Sequence, residues 1–578
     1  MMSRERKFVR LRIVLIALVF SLFFTVIAAK TVYLQLYQGT RLADMAAEQV
    51  ERSYKTAGKR GTIFDRNGAE MAVSIQVTSV AANPQKIPDA RKAAAAVGRV
   101  LKIDRRSLSR KFSSSKPFVW VKRQASPKEV ERVRALGIEG IEFVPETNRF
   151  YPSKTLAAQV IGFTGIDGNG LEGLEYYYDS YLRGAEGNRT ILRDALGQRF
   201  VSPKQTTKDY SGQNIVLTID RTVQYIAEQV LEETVSEFSA LSGIALVMIP
   251  KTGAVLAMAH YPPFNPNDYR NFSRQNWRNR AITDPIEPGS TMKIFSATAA
   301  IESGGSSPNT IFYCENGAYR IGKNIVHDLY SYGWLSLQQI IKYSSNIGAI
   351  KISEMVGPER LYNTLSDFGF NTRTGIDCPG ESTGSLAYYK QWSRLDTGVI
   401  SFGHGIATTP LQLATAVSAI ANRGELMKPY LVKAITDSTG RLVHSFEPRS
   451  IRRVISPETA ATVAGIMATV ITKGGTGTAA ALDGYSVCGK TGTAKKVSAE
   501  GAYTEGKYVA SFVGFTPAHD PEITVLVIVN EPQDKYYGGL VAAPAFRKIA
   551  GQTLNYLNVP PDIREDQTAM QSASGVKS

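Results

Sequence analysis

Residues 287–301 read Glu-Pro-Gly-Ser-Thr-Met-Lys-Ile-Phe-Ser-Ala-Thr-Ala-Ala-Ile. Pro288-Gly289 interrupts the chain, and the apolar run behind it predicts a helix from about Ser290 to Ile301. Ser290 and Lys293 then sit one turn apart on one helix face. A serine hydroxyl is a weak nucleophile until a base takes its proton, and a neighbouring lysine serves if its ammonium is partly deprotonated. Lowering a lysine pKa from about 10.4 to about 7.5 costs about 4 kcal/mol. Burial and a second cation are the available means.

That cation is offered by Lys490-Thr491-Gly492-Thr493, in a stretch from Tyr485 that reads as a strand. Gly492 would let a substrate backbone lie along the strand edge, and the hydroxyls of Thr491 and Thr493 suit a carboxylate. Between the two in sequence lies Ser344-Ser345-Asn346, with a hydroxyl for proton relay and an amide to hold a substrate carbonyl. Each pattern alone is weak, because Ser113-x-x-Lys116, Ser307-x-Asn309 and Lys251-Thr252-Gly253 also occur. The weight lies in their order and in the element each occupies.

Around these motifs the pattern is that of an α/β (α+β) fold. A strand at Asn214–Thr218 precedes a helix from about Asp220, and Gly243–Ile249 and Ala254–His260 flank a turn as a hairpin. Strands at Tyr508–Thr516 and Ile523–Val529 and a helix at Ala545–Leu557 end the region. Strands at both ends of a mostly helical stretch predict a central antiparallel sheet flanked by helices. Upstream, from Tyr37, an irregular module holds a helix at Pro127–Leu136, a strand at Ile141–Val144 and a basic cluster, Lys102, Arg105, Arg106, Arg110, Lys111, Lys116, Lys122 and Arg123, expected as a solvated face. Pro203–Gln213 reads as a linker.

Ile13–Ala29 carries no charge and follows Arg4, Arg6, Lys7, Arg10 and Arg12, which predicts a membrane helix with its basic flank in the cytoplasm. A cleaved signal peptide would have a shorter apolar core and a small-x-small site, which Ile27-Ala28-Ala29 matches poorly. In the 578-residue chain the net charge of +16 asks for an anionic neighbour, and export argues against nucleic acid. Cys314, Cys378 and Cys488 allow at most one disulfide and are expected as small buried residues, with Cys488 on the Lys490 face of its strand. The five histidines, His260, His327, His404, His444 and His519, lack ligand spacing, so neither a metal nor another cofactor is expected. Gly168-x-Gly170-x-x-Gly173 matches a dinucleotide fingerprint but has no βαβ unit around it.

The motif trio is a signature of class A β-lactamases and penicillin-binding proteins. From the N-terminal helix to about Val559 the chain resembles the class B penicillin-binding proteins, most closely the division-specific FtsI type of peptidoglycan D,D-transpeptidase. Upstream, Arg60-Gly61-Thr62-Ile63-Phe64-Asp65-Arg66-Asn67-Gly68, Arg149-Phe150-Tyr151-Pro152 and Gly170-Leu171-Glu172-Gly173-Leu174-Glu175 resemble the family's pedestal motifs. Downstream, Ser401-Phe402-Gly403-His404-Gly405, Thr409-Pro410-Leu411-Gln412 and Lys535-Tyr536-Tyr537-Gly538-Gly539 resemble its transpeptidase domain.

The resemblance implies a cytoplasmic tail (1–12), a transmembrane anchor (13–36), a pedestal of the dimerisation type (37–212), a transpeptidase domain (213–557) and a disordered tail (558–578). It implies that Ser290 is acylated by the penultimate D-Ala of a stem peptide and Lys293 is the base. Ser344 and Lys490 would complete the proton network, and Asn346 would position the acyl chain. Thr491 and Thr493 would bind the terminal carboxylate, the amides of Ser290 and Thr493 would form the oxyanion hole, and Tyr503, Tyr536 and Tyr537 would line the rim. β-Lactams are the implied inhibitors. A SEDS-family glycosyltransferase and other divisome membrane proteins are the implied partners, since the chain leaves no room for a polymerase domain. Ser345 stands where a class A β-lactamase has Asp, and His404 where the family usually has Tyr. The alternatives are a non-catalytic divisome scaffold or β-lactam sensor, a D,D-carboxypeptidase and a β-lactamase.

Overall fold

The computed structural model describes residues 2–42, 45, 51–193, 199–201, 210–497 and 503–563. They fall into two compact units, 1–58 with 184–210 and 59–183 with 211–578. The stretch 37–212 therefore contributes to both.

In the first unit a helix, Met2–Val32, runs on through a π-helical turn at Tyr33–Tyr37. Its apolar part, Lys7–Tyr37, is 31 residues long and contains an 18-residue window of mean hydropathy 2.6, none of it buried. At 1.5 Å per residue it exceeds the roughly 30 Å of a bilayer core, so it fits a single-pass anchor. Thr25 and Thr31 donate their hydroxyls to Ser21 O and Ile27 O, which satisfies them within the helix. Strands Glu51–Ala57, Glu186–Arg193 and Arg199–Val201 form an antiparallel sheet in the same unit.

The second unit opens with strands Ile63–Phe64, Glu70–Ala82, Val119–Ala125 and Ile141–Phe150. Helices Ala90–Leu101, Arg105–Phe112 and Pro127–Arg134 are capped by Asp89, Asp104 and Ser126 and pack Val97, Leu108, Phe112 and Val133 against Val80. Of the basic cluster, Lys122 pairs with Glu129 and Arg123 with Glu146 and Asp167, while the other six are exposed. Strand Asn214–Leu217 does more than open the downstream region. It pairs in parallel with Ile63–Phe64 and antiparallel with Val432–Thr436, joining the two parts into one sheet.

The upstream motifs meet at Glu175, whose side chain is fully buried between two guanidiniums. Arg60 Nε lies 2.7 Å from Oε2 and Arg149 Nε 2.6 Å from Oε1, and Tyr151 donates to Oε1 at 3.3 Å. Arg60 also reaches Asp179 and Gly168 O. The Gly168–Gly173 loop is thus wound around this ion cluster, and a Cβ at Gly170 would lie 1.9 Å from Glu175 O. Close packing explains Gly170 and Gly173, and a left-handed backbone, φ +79°, explains Gly168.

The downstream region is built on a five-stranded antiparallel sheet: β1 (Ser242–Met248), β2 (Val255–Tyr261), β3 (Cys488–Val497), β4 (Tyr503–Thr516) and β5 (Ile523–Asn530), in the order β2-β1-β5-β4-β3. One face packs on α1 (Arg221–Glu237) and α6 (Gly538–Tyr556) through Val223, Leu231, Phe512 and Phe546. The other face carries a helical layer with α2 (Lys293–Glu302), α3 (Leu337–Tyr343), α4 (Asn346–Val356) and α5 (Pro410–Ala421). Thr409 and Gln412 form the capping box of α5.

Several expected boundaries move. The strand foreseen at Ile141–Val144 runs on to Phe150. The strand that carries Lys490 starts at Cys488 rather than Tyr485, whose hydroxyl is drawn off to Val559 O. The last helix starts at Gly538 rather than Ala545 and contains Pro544. Gly538 packs so closely on β3 that a Cβ would lie 2.3 Å from Gly492 O, so tertiary contact sets that start. The three cysteines are free and buried. Just past α6, Asp562 accepts from Ser486 N, while the rest of the tail, from 564, and linker residues 203–209 lie outside the described residues.

Glu175→Gln keeps the shape at the ion cluster but leaves two buried guanidiniums without their shared charge. It is expected to destabilise the protein by about 3 to 5 kcal/mol. A urea unfolding midpoint equal to wild type would refute that account.

Candidate active site

Ser290 sits in a 3-10 turn, Gly289–Met292, that leads directly into α2. Two glycines allow this turn. Gly289 has φ +55°, and a Cβ on Gly403 would lie 2.1 Å from Gly289 O. Thr291 donates to Pro288 O at 2.8 Å and closes the turn. Lys293 is the first residue of α2 and is fully buried. Ser344 joins α3 to α4 in the left-handed region, φ +61°, a conformation that an L-serine holds only when its surroundings fix it. Ser345 caps α4 by accepting from Gly348 N. Lys490 lies on β3, fully buried.

These three elements converge. Lys293 Nζ donates to Ser344 O at 2.6 Å and Asn346 Oδ1 at 2.7 Å, and lies 3.0 Å from Ser290 Oγ and 3.1 Å from Ser344 Oγ. A neutral amine has two N–H bonds and one lone pair. Two carbonyl oxygens take the N–H bonds, leaving the lone pair for a hydroxyl. Lys490 Nζ lies 3.0 Å from the same Ser344 Oγ and reaches Thr491 O at 3.2 Å. Burial pushes Lys293 down to about 7, against the opposing pull of Asp328. Burial, then the charge of Lys293, pushes Lys490 well below the ordinary lysine range. Two ammoniums on one hydroxyl repel, so a proton on one disfavours a proton on the other.

Ser290, Lys293, Ser344, Asn346 and Lys490 are therefore brought together, with Thr491 alongside. Thr491 Oγ1 is 2.9 Å from Thr476 Oγ1, and Thr493 Oγ1 accepts from Gly538 N at 3.1 Å. At Gly492 a Cβ would meet Ser511 Oγ at 2.2 Å and Pro288 O at 3.0 Å, so the glycine makes room for the turn that carries Ser290.

The tyrosines separate. Tyr536 is stacked between Tyr508 (ring centroids 4.0 Å apart) and Tyr537 (4.6 Å), so it packs. Tyr537 is about two-fifths exposed at the start of α6. Tyr503 is half exposed, but its hydroxyl is held 2.8 Å from His404 Nδ1 and donates to Glu287 Oε2 at 3.2 Å. His404, departing from the usual Tyr, thus braces Tyr503. Cys488 lies on the Lys490 face of its strand, as expected, packed in the helical-layer core, and donates to Ala464 O at 3.2 Å.

Two positioning residues have no motif of their own. Asp328 receives Ser345 Oγ at 2.5 Å, Asn346 N at 2.5 Å and Ile347 N at 3.1 Å, placing a carboxylate on the first turn of α4. Glu287 accepts from Gly405 N at 2.9 Å beside the Ser290 turn. The only local signal for Glu287 was its adjacency to Pro288-Gly289, and Asp328 had none.

Asp328→Ala is expected to slow labelling of Ser290 by a serine-directed acylating reagent about 10- to 100-fold, the usual effect of loosening a positioned group. It removes the carboxylate that favours protonated Lys293, so the pH–rate profile should move to lower pH. A slower rate with an unmoved profile would reduce Asp328 to a purely structural role.

A family model described as the penicillin-binding protein transpeptidase domain matches residues 243–551, and one described as the penicillin-binding protein dimerisation domain matches 55–217. The chain is 35% identical to a probable peptidoglycan D,D-transpeptidase, PenA, of Neisseria meningitidis, over 95% of this chain and 93% of the relative. It is 33% identical to peptidoglycan D,D-transpeptidase FtsI of Escherichia coli, over 95% and 91%. It is 32% identical to stage V sporulation protein D of Bacillus subtilis, over 96% and 87%. Among solved structures, penicillin-binding protein 3 of Mycobacterium tuberculosis in complex with aztreonam superposes with a TM-score of 0.70 at 30% identity, over 88% of this chain and 98% of that one. The buried lysine pair, the anchor and the sheet on which the motifs meet belong with these likenesses: the chain is a member of the class B penicillin-binding proteins.

Proposed function

We propose that this chain is a peptidoglycan D,D-transpeptidase that works through an ester at Ser290. Ser290 Oγ attacks the carbonyl carbon of the penultimate D-Ala of a stem peptide while its proton passes to Lys293. The carbon–nitrogen bond to the last D-Ala then breaks, and that D-Ala leaves with a proton returned through Lys293, Ser344 and Lys490. The amine of a second stem peptide attacks the ester, forms the cross-link and restores the Ser290 hydroxyl. The amides of Ser290 and Thr493 meet the negative charge that develops on the carbonyl oxygen. Asn346 positions the acyl chain. Thr491 and Thr493 take the terminal carboxylate, with Tyr503 and Tyr537 at the rim. A β-lactam follows the same first step and stays on Ser290.

The observation that carries this reading is the Lys293 amine, 3.0 Å from Ser290 Oγ, with both N–H bonds committed to carbonyl oxygens. With Arg4, Arg6, Lys7, Arg10 and Arg12 on the cytoplasmic side, the catalytic region is extracytoplasmic. The likeness to FtsI supports action at the division septum, beside a SEDS-family glycosyltransferase and other divisome membrane proteins that engage the anchor and pedestal. Co-purification with that glycosyltransferase should be lost when both anchor and pedestal are exchanged for unrelated ones, and its survival would contradict this placement.

Incubation with benzylpenicillin should give a single adduct by intact-protein mass that persists for hours in the wild type and is missing in Ser290→Ala. Its rate of formation should fall about tenfold per pH unit below about 7, as Lys293 takes up its proton. An adduct that disappears within seconds, or one that survives in Ser290→Ala, would overturn the proposal.

A further inference from the structure

A cavity of 490 Å³ lies at one end of the five-stranded sheet. Ile244, Val509 and Ile528 of the sheet wall it, with Ile286 and Ile406 from the segments that brace the Ser290 turn. Ala494, which directly follows Thr493, lies in the same wall, and a Cβ on Gly289 would come within 3.3 Å of the Ala494 side chain. The cavity therefore shares its wall with the catalytic strand and the nucleophile turn, while the Ser290, Lys293, Ser344 and Lys490 side chains take no part in its lining.

Its charges do not balance. Five charged side chains line it: Arg280, Asp284, Glu287, Lys495 and Lys496. Asp284 is paired with Arg278, Lys496 with Glu531, and Glu287 is taken up by Gly405 N, Tyr503 and His404. Arg280 and Lys495 have no ion pair and no side-chain hydrogen bond among the described residues. Arg280 is partly buried and Lys495 exposed, so two cations without an ion partner face a cavity whose lining also presents Ile244, Ile286, Ile406 and Val509. A guanidinium beside apolar walls suits a carboxylate on a small apolar body, with the fork of N–H donors taking both oxygens.

We propose that this cavity binds the carboxylate end of a second stem peptide, a short peptide closing in D-alanine, with Arg280 as its principal anchor and Lys495 at the mouth. The choice of a stem peptide as the source rests on the function proposed above. The cavity's need for a carboxylate rests only on its own lining. A bound peptide would press on Glu287 and Ala494, and so on the turn and strand that hold the catalytic groups.

The test uses the full-length chain in detergent, with Ser290 first blocked by benzylpenicillin and the block checked by mass. Calorimetric titration with N-acetyl-D-Ala-D-Ala should still show one site on the blocked protein. Affinity should fall about tenfold or more for the probe with an amidated C-terminus and for Arg280→Gln, the loss of one charge-assisted contact. Ser385→Trp, placed at an exposed position on the rim, should block the site while leaving Ser290 labelling at the wild-type rate. No binding to the blocked protein, binding indifferent to Arg280→Gln, or equal binding of N-acetyl-L-Ala-L-Ala would each overturn the proposal. If benzylpenicillin fails to label Ser290, the catalytic reading falls by itself, and wild type against Arg280→Gln, both unlabelled, still decides the cavity.

Discussion

Two buried lysine amines sharing one serine hydroxyl are the constraint from which the architecture of this protein follows. Lys293 comes from a helix, Lys490 from the edge of a sheet and Ser344 from a turn between two further helices, and Ser344 Oγ lies 3.1 Å from one amine and 3.0 Å from the other. No local sequence preference holds such atoms together. Fully exposed, each lysine would keep a pKa near 10.4 and hold its proton. Only a site closed on all sides by packed elements lowers both.

The closure is produced in layers. The Ser290 turn is pressed between β3 and the Gly403 segment, and at both contacts a glycine removes the Cβ that would keep the backbones apart. Asp328 fixes the start of α4, so that Asn346 and the carbonyl of Ser344 arrive at Lys293 together. Gly538 donates to Thr493 Oγ1, which ties α6 to the catalytic strand. Farther out, Asp65 accepts from Arg221 N and Asn67 donates to Asp220, the N-cap of α1. The ion cluster at Glu175 sits in the same unit. The upstream motifs thus stabilise the platform on which the sheet is laid, although none of them lies in the site.

What the sequence disclosed and what it concealed divide along the range of the interactions. The spacing of Ser290 and Lys293 and the hairpin of β1 and β2 depend on residues within a few positions, and these were legible. The order of the three motifs was legible as well, through resemblance. Asp328 was not, because it follows a hairpin of strands Ala318–Ile321 and Asn324–His327, and its partners Ser345, Asn346 and Ile347 lie across α3 in sequence. The close packing at Gly492 was not legible either, since the space it leaves is taken by a segment far away in sequence. The start of α6 was missed for the same reason, and Pro544 reinforced the error. Tyr503, Tyr536 and Tyr537 look equivalent as aromatic residues. Only their neighbours distinguish a packed ring from one at the rim.

Lowering the Lys293 pKa from its ordinary value to about 7 has a cost, about 5 kcal/mol of folding stability at neutral pH, because the unfolded chain binds a proton there that the folded chain holds weakly. Between that pKa and the unfolded value near 10.4 the unfolded state carries more protons, so this contribution becomes less unfavourable as pH rises, and the penalty is at its full value below pH 7. A lysine chosen for stability would pair with a carboxylate at the surface. Here the one carboxylate that acts on the amine, Asp328, pulls its pKa back up while accepting from two backbone amides and a hydroxyl, and burial outweighs that pull and leaves the amine depressed. The same side chain therefore serves two opposed ends. It orders the loop that presents Ser344 and Asn346, and its charge limits how far burial lowers the Lys293 pKa, which comes to about 7.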